Sequence, residues 1–322
     1  MDLLSGLLDG PRASEAFLLR LLLRAPWSMR IQDEAPLSLM AVTDGAAWIA
    51  PDDGEPVRLE AGDVALVRGI TPYLVADDPS TAPQVIIHPG QICTTPGGYD
   101  LAEEMGRRLR TWGNVDEMTE AGNPPNDICR MLVGVYETQP EVGARFVSAL
   151  PQLTVISADE HRSPLITILA GELTTEGPGQ QVILNRLLDL LVISMARVVF
   201  ERGDQSTPGW FRAQADPVVG PALTAISHDP RHPWTVGELA TRSGMSRAAF
   251  AHRFKQLVGE SPIAFLTDWR VSIAADLLRS TDSTVSQVAD QVGYSTPYAF
   301  SSAFKRLRGV SPTNYRLARP AS

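Results

Sequence analysis

The last third of this 322-residue chain contains one helical pattern twice, about fifty residues apart. Four residues recur 49 positions later: Val236, Ala240, Gly244 and Ser246 match Val285, Ala289, Gly293 and Ser295. Five more recur 50 positions later: Phe250, Phe254, Gly259, Ser261 and Pro262 match Phe300, Phe304, Gly309, Ser311 and Pro312. Repetition at such a period indicates a duplicated supersecondary unit. The sequence therefore predicts two similar helical units in this part of the chain.

Each copy has the signals of two short helices joined by a tight turn. Gly244 and Gly293 lie where the first helix must end, because glycine adopts the left-handed conformation without steric cost. Ser246 can cap the second helix of the first copy, and Thr296 followed by Pro297 can cap that of the second. The second helices carry phenylalanine and leucine at spacings of three and four, which predicts a buried face. Both copies are therefore predicted to be helix-turn-helix units.

A long helix predicted from Ile263 to Arg279, carrying Trp269-Arg270, joins the two copies. The last copy continues through Phe304-Lys305-Arg306, Gly309-Val310-Ser311-Pro312 and Tyr315-Arg316. This arrangement resembles the DNA-binding domain of AraC/XylS-type transcription regulators, over about a third of the chain. The resemblance implies sequence-specific binding to double-stranded DNA, with RNA polymerase as a further candidate partner. The alternative is a helical bundle without a nucleic-acid role.

The distribution of charge agrees with DNA binding by this part of the chain. The net charge is −9, but residues 216–322 contain twelve basic and eight acidic side chains. The remainder contains sixteen basic and twenty-nine acidic side chains. The basic excess thus lies where contact with phosphates is needed.

The candidate DNA-contacting residues lie on the outward face of the second helix of each copy. The outward face of the first such helix carries Arg247, Ala248, Ala251, His252 and Lys255. The second offers Pro297, Tyr298, Ser301, Ser302 and Lys305. The resemblance places base reading on Ala248, Ala251 and His252. Arg247, Lys255, Lys305 and Arg306 are the candidates for phosphate contacts, which position a protein without specifying sequence. The alternative for each is an ordinary solvated side chain.

The first half of the chain predicts a small β-domain. Short apolar and β-branched runs from Ala16 to Ile87 alternate with turn residues, which is typical of an antiparallel barrel or sandwich. The segment 57–64, followed by Gly69-Ile70-Thr71-Pro72-Tyr73, resembles a cupin half-motif. It is similar to the sensor domain of one branch of the same regulators. The expected fold class is therefore α+β and multidomain, with a cupin-like barrel before an all-α double helix-turn-helix domain.

The histidines expected of a catalytic cupin are missing. Such enzymes hold a metal with two histidines one residue apart and a later histidine. Here Leu39-Met40 occupy the place of the first pair, and Tyr73 stands where a histidine often follows the proline. We therefore expect no bound metal, no cofactor and no enzymatic activity. A metal-dependent cupin enzyme with a helical appendage is the alternative from another functional class.

His88, Cys93 and Cys129 are the candidate sensor residues in this half. One hypothesis is a thiol- or metal-responsive regulator in which Cys93 acts with His88 or Cys129. The other is a satisfied surface histidine and two inert cysteines, since free cysteine commonly lies in a core. Two cysteines in the whole chain fit a reducing compartment, and no apolar run has the length of a membrane span. A cytoplasmic protein without membrane association is expected.

The sequence between these parts predicts further helices and an assembly surface. Residues 101–109 are predicted to be helical, residues 131–136 to be the last strand, and residues 142–149 to be a short helix. The longest helix is predicted from Gln180 to Arg202 and is apolar over most of its surface, so it should be buried on several sides. One part is expected to pack against the barrel, and the rest is a candidate homodimer seam. Asp189 and Arg197 are expected on the wetter side of the helix.

The predicted domain order is a sensor and dimerisation domain at 1–205, a linker at 206–215 and a DNA-binding domain at 216–322. Together these features predict a transcription regulator that responds to a small-molecule effector. The sequence specifies neither the effector nor the operator, and it does not distinguish an activator from a repressor.

Overall fold

The computed structural model describes residues 16–69, 71–108, 110–115, 128–136, 141–202 and 208–318. Two compact units share these residues. One, the sheet unit, takes in the described residues between 16 and 136 and residues 150–202. The other, the helical unit, takes in residues 208–318 together with a short segment at 141–149. Of the linker expected at 206–215, residues 206 and 207 lie outside the described residues, whereas 208–215 belong to the helical unit and 209–213 are helical.

The described residues of the sheet unit form thirteen strands. They are β1 (Ala16–Arg24), β2 (Ser28–Ile31), β3 (Leu37–Asp44), β4 (Ala46–Pro51), β5 (Val57–Glu60), β6 (Val64–Arg68), β7 (Tyr73–Ala76), β8 (Val85–His88), β9 (Ile92–Thr94), β10 (Gly106–Arg108), β11 (Thr111–Gly113), β12 (Ile128–Tyr136) and β13 (Leu153–Ile156). One sheet has the order β10-β11-β1-β12-β3-β6-β13, and the other has the order β5-β4-β7-β2-β8-β9.

The core of this unit includes apolar side chains from both sheets, among them Leu21, Met29, Met40, Val75 and Met131. The expected barrel is therefore two open sheets around a common core. Its pairing is also mixed, because β1 pairs with β11 and β2 with β8 in the parallel sense. The other pairs are antiparallel, as the sequence predicted.

The helix predicted over residues 101–109 is shorter than expected. Helix α1 covers Ala102–Met105, and the chain then enters β10, which pairs with β11. The backbone of Gly106 is extended, and sheet hydrogen bonds replace the helical ones that the local charge pattern favoured. Strand β12 is also not the last strand, because β13 follows it and pairs with β6.

Besides α1, the described part of the sheet unit contains the helices α3 (Pro164–Glu172) and α4 (Gln180–Glu201). Leu188 of α4 is buried, and a side chain at Gly134 of β12 would meet it at 2.6 Å. The absence of a side chain at Gly134 thus allows the strand and the helix to pack closely.

The sequence predicted that Asp189 of α4 faces solvent, and this prediction is wrong. Asp189 is buried and accepts a hydrogen bond from the Tyr136 hydroxyl at 3.2 Å. Burial, with the nearby carboxylate, raises the pKa of Tyr136 well above its ordinary value. Periodicity placed this aspartate outside because it does not reveal a polar partner 53 residues away. Arg197 is largely exposed, as expected.

The helical unit contains nine helices among its described residues. They are α2 (Glu141–Val147), α5 (Gly209–Ala213), α6 (Val219–His228), α7 (Val236–Arg242), α8 (Arg247–Val258), α9 (Pro262–Ser280), α10 (Val285–Gln291), α11 (Pro297–Arg308) and α12 (Pro312–Leu317). Helices α7 and α8 form the first predicted helix-turn-helix, and α10 and α11 form the second. In the described part of the chain, no helix is long and apolar enough to cross a membrane.

Candidate nucleic-acid interface

Side-chain caps fix the start of each helix in the two repeated units. Thr235, Ser246, Thr284 and Thr296 each accept a hydrogen bond from the backbone N–H three residues later. Such a cap satisfies one of the N–H groups that the first turn of a helix leaves unpaired. Thr296 followed by Pro297 begins α11, as the sequence predicted. These local signals set the direction in which α8 and α11 leave their turns.

Buried phenylalanines anchor both of these helices. Phe250 and Phe254 of α8, and Phe300 and Phe304 of α11, are fully buried. Phe254 packs edge-to-face on Phe265 of α9 at a ring separation of 6.0 Å. The leucines expected beside them are less buried, and Leu307 is among the exposed apolar residues. The anchored faces leave the opposite faces of α8 and α11 in solvent.

The candidate DNA-contacting residues lie on those solvent faces. On α8, Arg247, Ala248, His252 and Lys255 are exposed and Ala251 is half-buried. On α11, Pro297, Tyr298, Ser302, Lys305 and Arg306 are exposed and Ser301 is half-buried. Tyr298, with 83% of its surface exposed, is the most exposed large apolar side chain among the described residues. An aromatic ring that is exposed to this extent is available for contact with a binding partner.

Helix α9 connects the two helix-turn-helix units. Its residues Phe265 and Trp269 are buried, and Val271, Ala275 and Leu278 belong to the core around α11. Arg270, for which the sequence left a scaffold or a phosphate role open, donates to the backbone carbonyls of Pro230 at 2.6 Å and His232 at 2.8 Å. Its guanidinium also lies over the Tyr294 ring. Arg270 therefore serves the scaffold.

Some cations of the helical unit are paired with carboxylates, and others are not. Arg231, Arg253 and Arg308 have carboxylate partners, at 2.8 Å from Asp290, 2.6 Å from Asp216 and 3.0 Å from Glu141, respectively. The Arg253 guanidinium holds the pKa of Asp216 down to about 2. Arg247, Lys255, Lys305 and Arg306 form no ion pair with any described residue, so their charge remains available for phosphates. The carboxylate partner of Arg308, Glu141, was missed by the sequence analysis because it lies far away in the chain.

The structure does not gather the candidate sensor residues into a metal site. Within the described ranges, no cluster of three or more His, Cys, Asp or Glu side chains could hold an ion. The ring nitrogens of His88 contact Gln32 at 3.3 Å and Thr94 at 2.9 Å. Burial raises the pKa of Cys93 to about 11 and that of Cys129 to about 12. Both shifts disfavour the thiolate on which oxidation and metal binding depend.

A cavity of about 390 Å³ lies inside the sheet unit. Its walls come from eight strands and are mainly apolar, with Phe17, Leu19, Met29, Met40, Met131 and Val133 among them. The lining residues whose side chains carry polar atoms are Gln91, Arg110, Thr111 and Trp112. The indole nitrogen of Trp112 is buried and has no hydrogen-bond partner among the described residues. Sequence patterning missed this site, because cavity-lining and core residues share the same alternation.

Known proteins match both units. The Cupin family matches residues 2–201, and the Helix-turn-helix domain family matches residues 239–318. An AraC-like transcription regulator of Streptomyces lividans is 30% identical over 295 residues, which cover 90% of each chain. The HTH-type transcriptional regulator AlkR of Acinetobacter baylyi is 27% identical over 322 residues, covering 98% of this chain and 99% of AlkR.

Solved structures also match the helical unit. The DNA-binding domain of AdpA, in complex with a target DNA, is 36% identical to this chain. The match covers 32% of this chain and 93% of that domain, with a TM-score of 0.31. The family matches and the Streptomyces relative establish the family of the chain. It belongs to the AraC-like transcription regulators, with a cupin domain followed by a DNA-binding helix-turn-helix domain, and it is a regulator rather than an enzyme.

Proposed function

We propose that this regulator binds two successive major grooves of double-stranded DNA through α8 and α11. The observation that carries the proposal is the set of four cations on these helices that no described carboxylate neutralises. Both helices are anchored on α9, and successive major grooves on one face of DNA lie about 34 Å apart. Lysine and arginine facing phosphates release counterions, so affinity must fall steeply with salt.

Selection of DNA with the purified full chain tests this binding mode. We expect a selected sequence that spans two adjacent grooves. The logarithm of the binding constant should decrease linearly with the logarithm of the salt concentration. Four phosphate contacts alone predict a slope near −3.6, at about 0.9 per contact. Binding of random DNA with equal affinity, or a slope near zero, would contradict the proposal.

The cavity of the sheet unit is the proposed effector site. Its volume lies in the range of small-molecule sites, about 300–1,000 Å³. The apolar walls favour a mainly apolar effector, and methionine side chains can adapt to its shape. The Trp112 indole N–H has no acceptor in the part of the chain that the structure describes, so an effector that carries one acceptor oxygen would satisfy it. The thiol- or metal-responsive alternative has less support, because both thiol pKa values are raised.

Two fluorescent dyes separate the apolar and the polar part of this proposal. N-phenyl-1-naphthylamine is mainly apolar and has no carbonyl acceptor, whereas prodan carries one. We expect Val133→Trp, which fills the cavity, to weaken both dyes. Trp112→Phe should weaken prodan by about three- to tenfold and leave the other dye unchanged, because it removes one hydrogen-bond donor. Leu132→Met, on the opposite face of β12, is the control. Equal loss of both dyes in Trp112→Phe would contradict the assigned role of the indole.

The exposed face of α4 is the proposed homodimer seam. Val182, Ile183 and Leu190 are apolar residues that α4 leaves in solvent, and Ile168 of α3 is exposed as well. Ile183 and Leu190 are seven residues apart and so share one face of the helix. An exposed apolar stripe of this kind marks an interaction surface. A second copy presenting the same stripe would cover it symmetrically.

Leu190→Asp tests the seam, with Leu191→Asp as the matched neighbour. Leu190 has half of its surface exposed, whereas Leu191 is fully buried in the sheet unit. We expect Leu190→Asp to convert a dimer into a folded monomer, since it introduces a charge into an apolar contact. Leu191→Asp should instead unfold the sheet unit. Light scattering and circular dichroism measure the two effects, and a monomeric wild-type chain at micromolar concentration would refute the seam.

A further inference from the structure

One short helix belongs to the helical unit although it comes from the first half of the sequence. Helix α2 lies between β12 and β13 in the chain, and both strands belong to the sheet unit. Its first residue, Glu141, contacts three helices. Its backbone N–H donates to Asp276 of α9 at 2.7 Å. Its carboxylate pairs with Arg308 Nε of α11 at 3.0 Å and accepts a hydrogen bond from the Tyr315 hydroxyl of α12 at 2.6 Å.

These contacts lie in a partly buried polar cluster. The Arg308 side chain is only 16% exposed, and it also contacts Asp268 at 3.2 Å and Ser272 at 2.8 Å. Tyr315 packs edge-to-face on Phe304 at 5.2 Å, and the Arg279 guanidinium lies over its ring. Hydrogen bonds that involve a charged group are about twice as strong as neutral ones. Glu141 therefore links α11 to α9 and α12 by polar contacts.

The first copy of the repeat shows that the fold does not need these polar contacts. Fifty positions earlier, Val258 stands in place of Arg308 and Phe265 in place of Tyr315. Phe265 makes the same edge-to-face contact with Phe254 that Tyr315 makes with Phe304. A helix-turn-helix unit of this type thus requires the ring, but neither the hydroxyl nor the cation. The two groups that Glu141 engages are specific to the second copy.

Helix α2 is also close in sequence to the cavity. Strand β12 lines the cavity with Met131 and Val133, and four residues separate its last residue, Tyr136, from Glu141. We propose that α2 stabilises the second helix-turn-helix unit through the contacts of Glu141, which we call the brace. We further propose that a ligand in the cavity alters these contacts through β12. The ligand step rests on the proposed effector site, whereas the brace stands on the contacts of Glu141.

Hydrogen exchange of the full chain tests the brace. Glu141→Ala removes all carboxylate contacts, and Tyr315→Phe removes one hydroxyl and retains the ring. We expect amide exchange in α11 and α12 to become roughly tenfold faster in Glu141→Ala and a few-fold faster in Tyr315→Phe. Exchange in α7 and α8 should not change. Glu238→Gln, which disturbs the contact with His232 in the first copy, is the control. Unchanged exchange in α11 and α12 would overturn the brace.

Two further measurements test its function. With DNA selected by the wild-type chain, Glu141→Ala should lose footprint protection in one of the two grooves, and an equal loss in both would overturn a role confined to the second unit. Saturation of the wild-type chain with N-phenyl-1-naphthylamine should alter exchange in α2, α11 and α12. No change there would overturn the link to the cavity. A wild-type chain that protects no DNA would refute the proposed DNA-binding mode, while the exchange comparison would still decide the brace.

Discussion

Gly293→Ala is expected to destabilise the helical unit by about 2–5 kcal/mol, far more than the same change at the equivalent glycine of the first copy. Gly293 has a φ of +84°, and an added Cβ would lie 2.5 Å from the backbone oxygen of Arg231. The left-handed conformation costs alanine about 1–2 kcal/mol. Overpacking against an atom that cannot rotate away adds about 1–3 kcal/mol. The turn before α11 should therefore not tolerate any side chain.

Gly244→Ala is the matched control for this prediction. Gly244 ends α7 with a φ of +66°, and an added Cβ would meet nothing within 4 Å. Only the conformational cost applies, so we expect a loss of about 1–2 kcal/mol. Urea unfolding of both variants, followed by circular dichroism, measures the difference. Equal losses would show that the contact with Arg231 relaxes at little cost.

The helical repeat could be predicted from the sequence because its signals are local. A capping residue, a glycine at the turn and phenylalanines at helical spacing each act within about one helical turn of themselves. They correctly predicted the starts of α8 and α11 and the buried phenylalanines of both. The glycines at the two turns look alike in sequence, however, and only the structure shows that the backbone of Arg231 approaches one of them.

The features that the sequence did not reveal depend on distant partners. Glu141 and Tyr315 are 174 positions apart, so neither predicts the other. Asp189 appeared solvent-facing because helical periodicity does not reveal the hydroxyl of Tyr136. Residues 103–108 have a charge pattern that favours a helix, but pairing with β11 makes residues 106–108 a strand. The cavity could not be predicted from the sequence for a related reason. Apolar residues alternate along a strand in the same way whether they pack in a core or line a cavity.

On α8 and α11, some residues should determine the affinity for DNA and others the preference for particular base pairs. Lys255→Ala and Lys305→Ala are each expected to weaken binding to all DNA sequences and to reduce the salt slope by about one. Both lysines are exposed and form no ion pair with a described residue, so each loss should remove one phosphate contact. Titrations of the full chain at several salt concentrations, with matched and random duplexes, measure these effects.

His252→Ala and Tyr298→Ala should instead relax the preference at one or two base pairs, by about 1–3 kcal/mol each. Alanine at positions 248 and 251 offers at most contact with a thymine methyl group, which leaves His252 as the hydrogen-bonding candidate on α8. Tyr298 is the corresponding large side chain on α11. Competition across single-base variants of the selected DNA, at one salt concentration, separates the two classes. If the lysine variants altered base preference and the His252 and Tyr298 variants did not, α8 and α11 would meet the groove with other faces than those assigned to them.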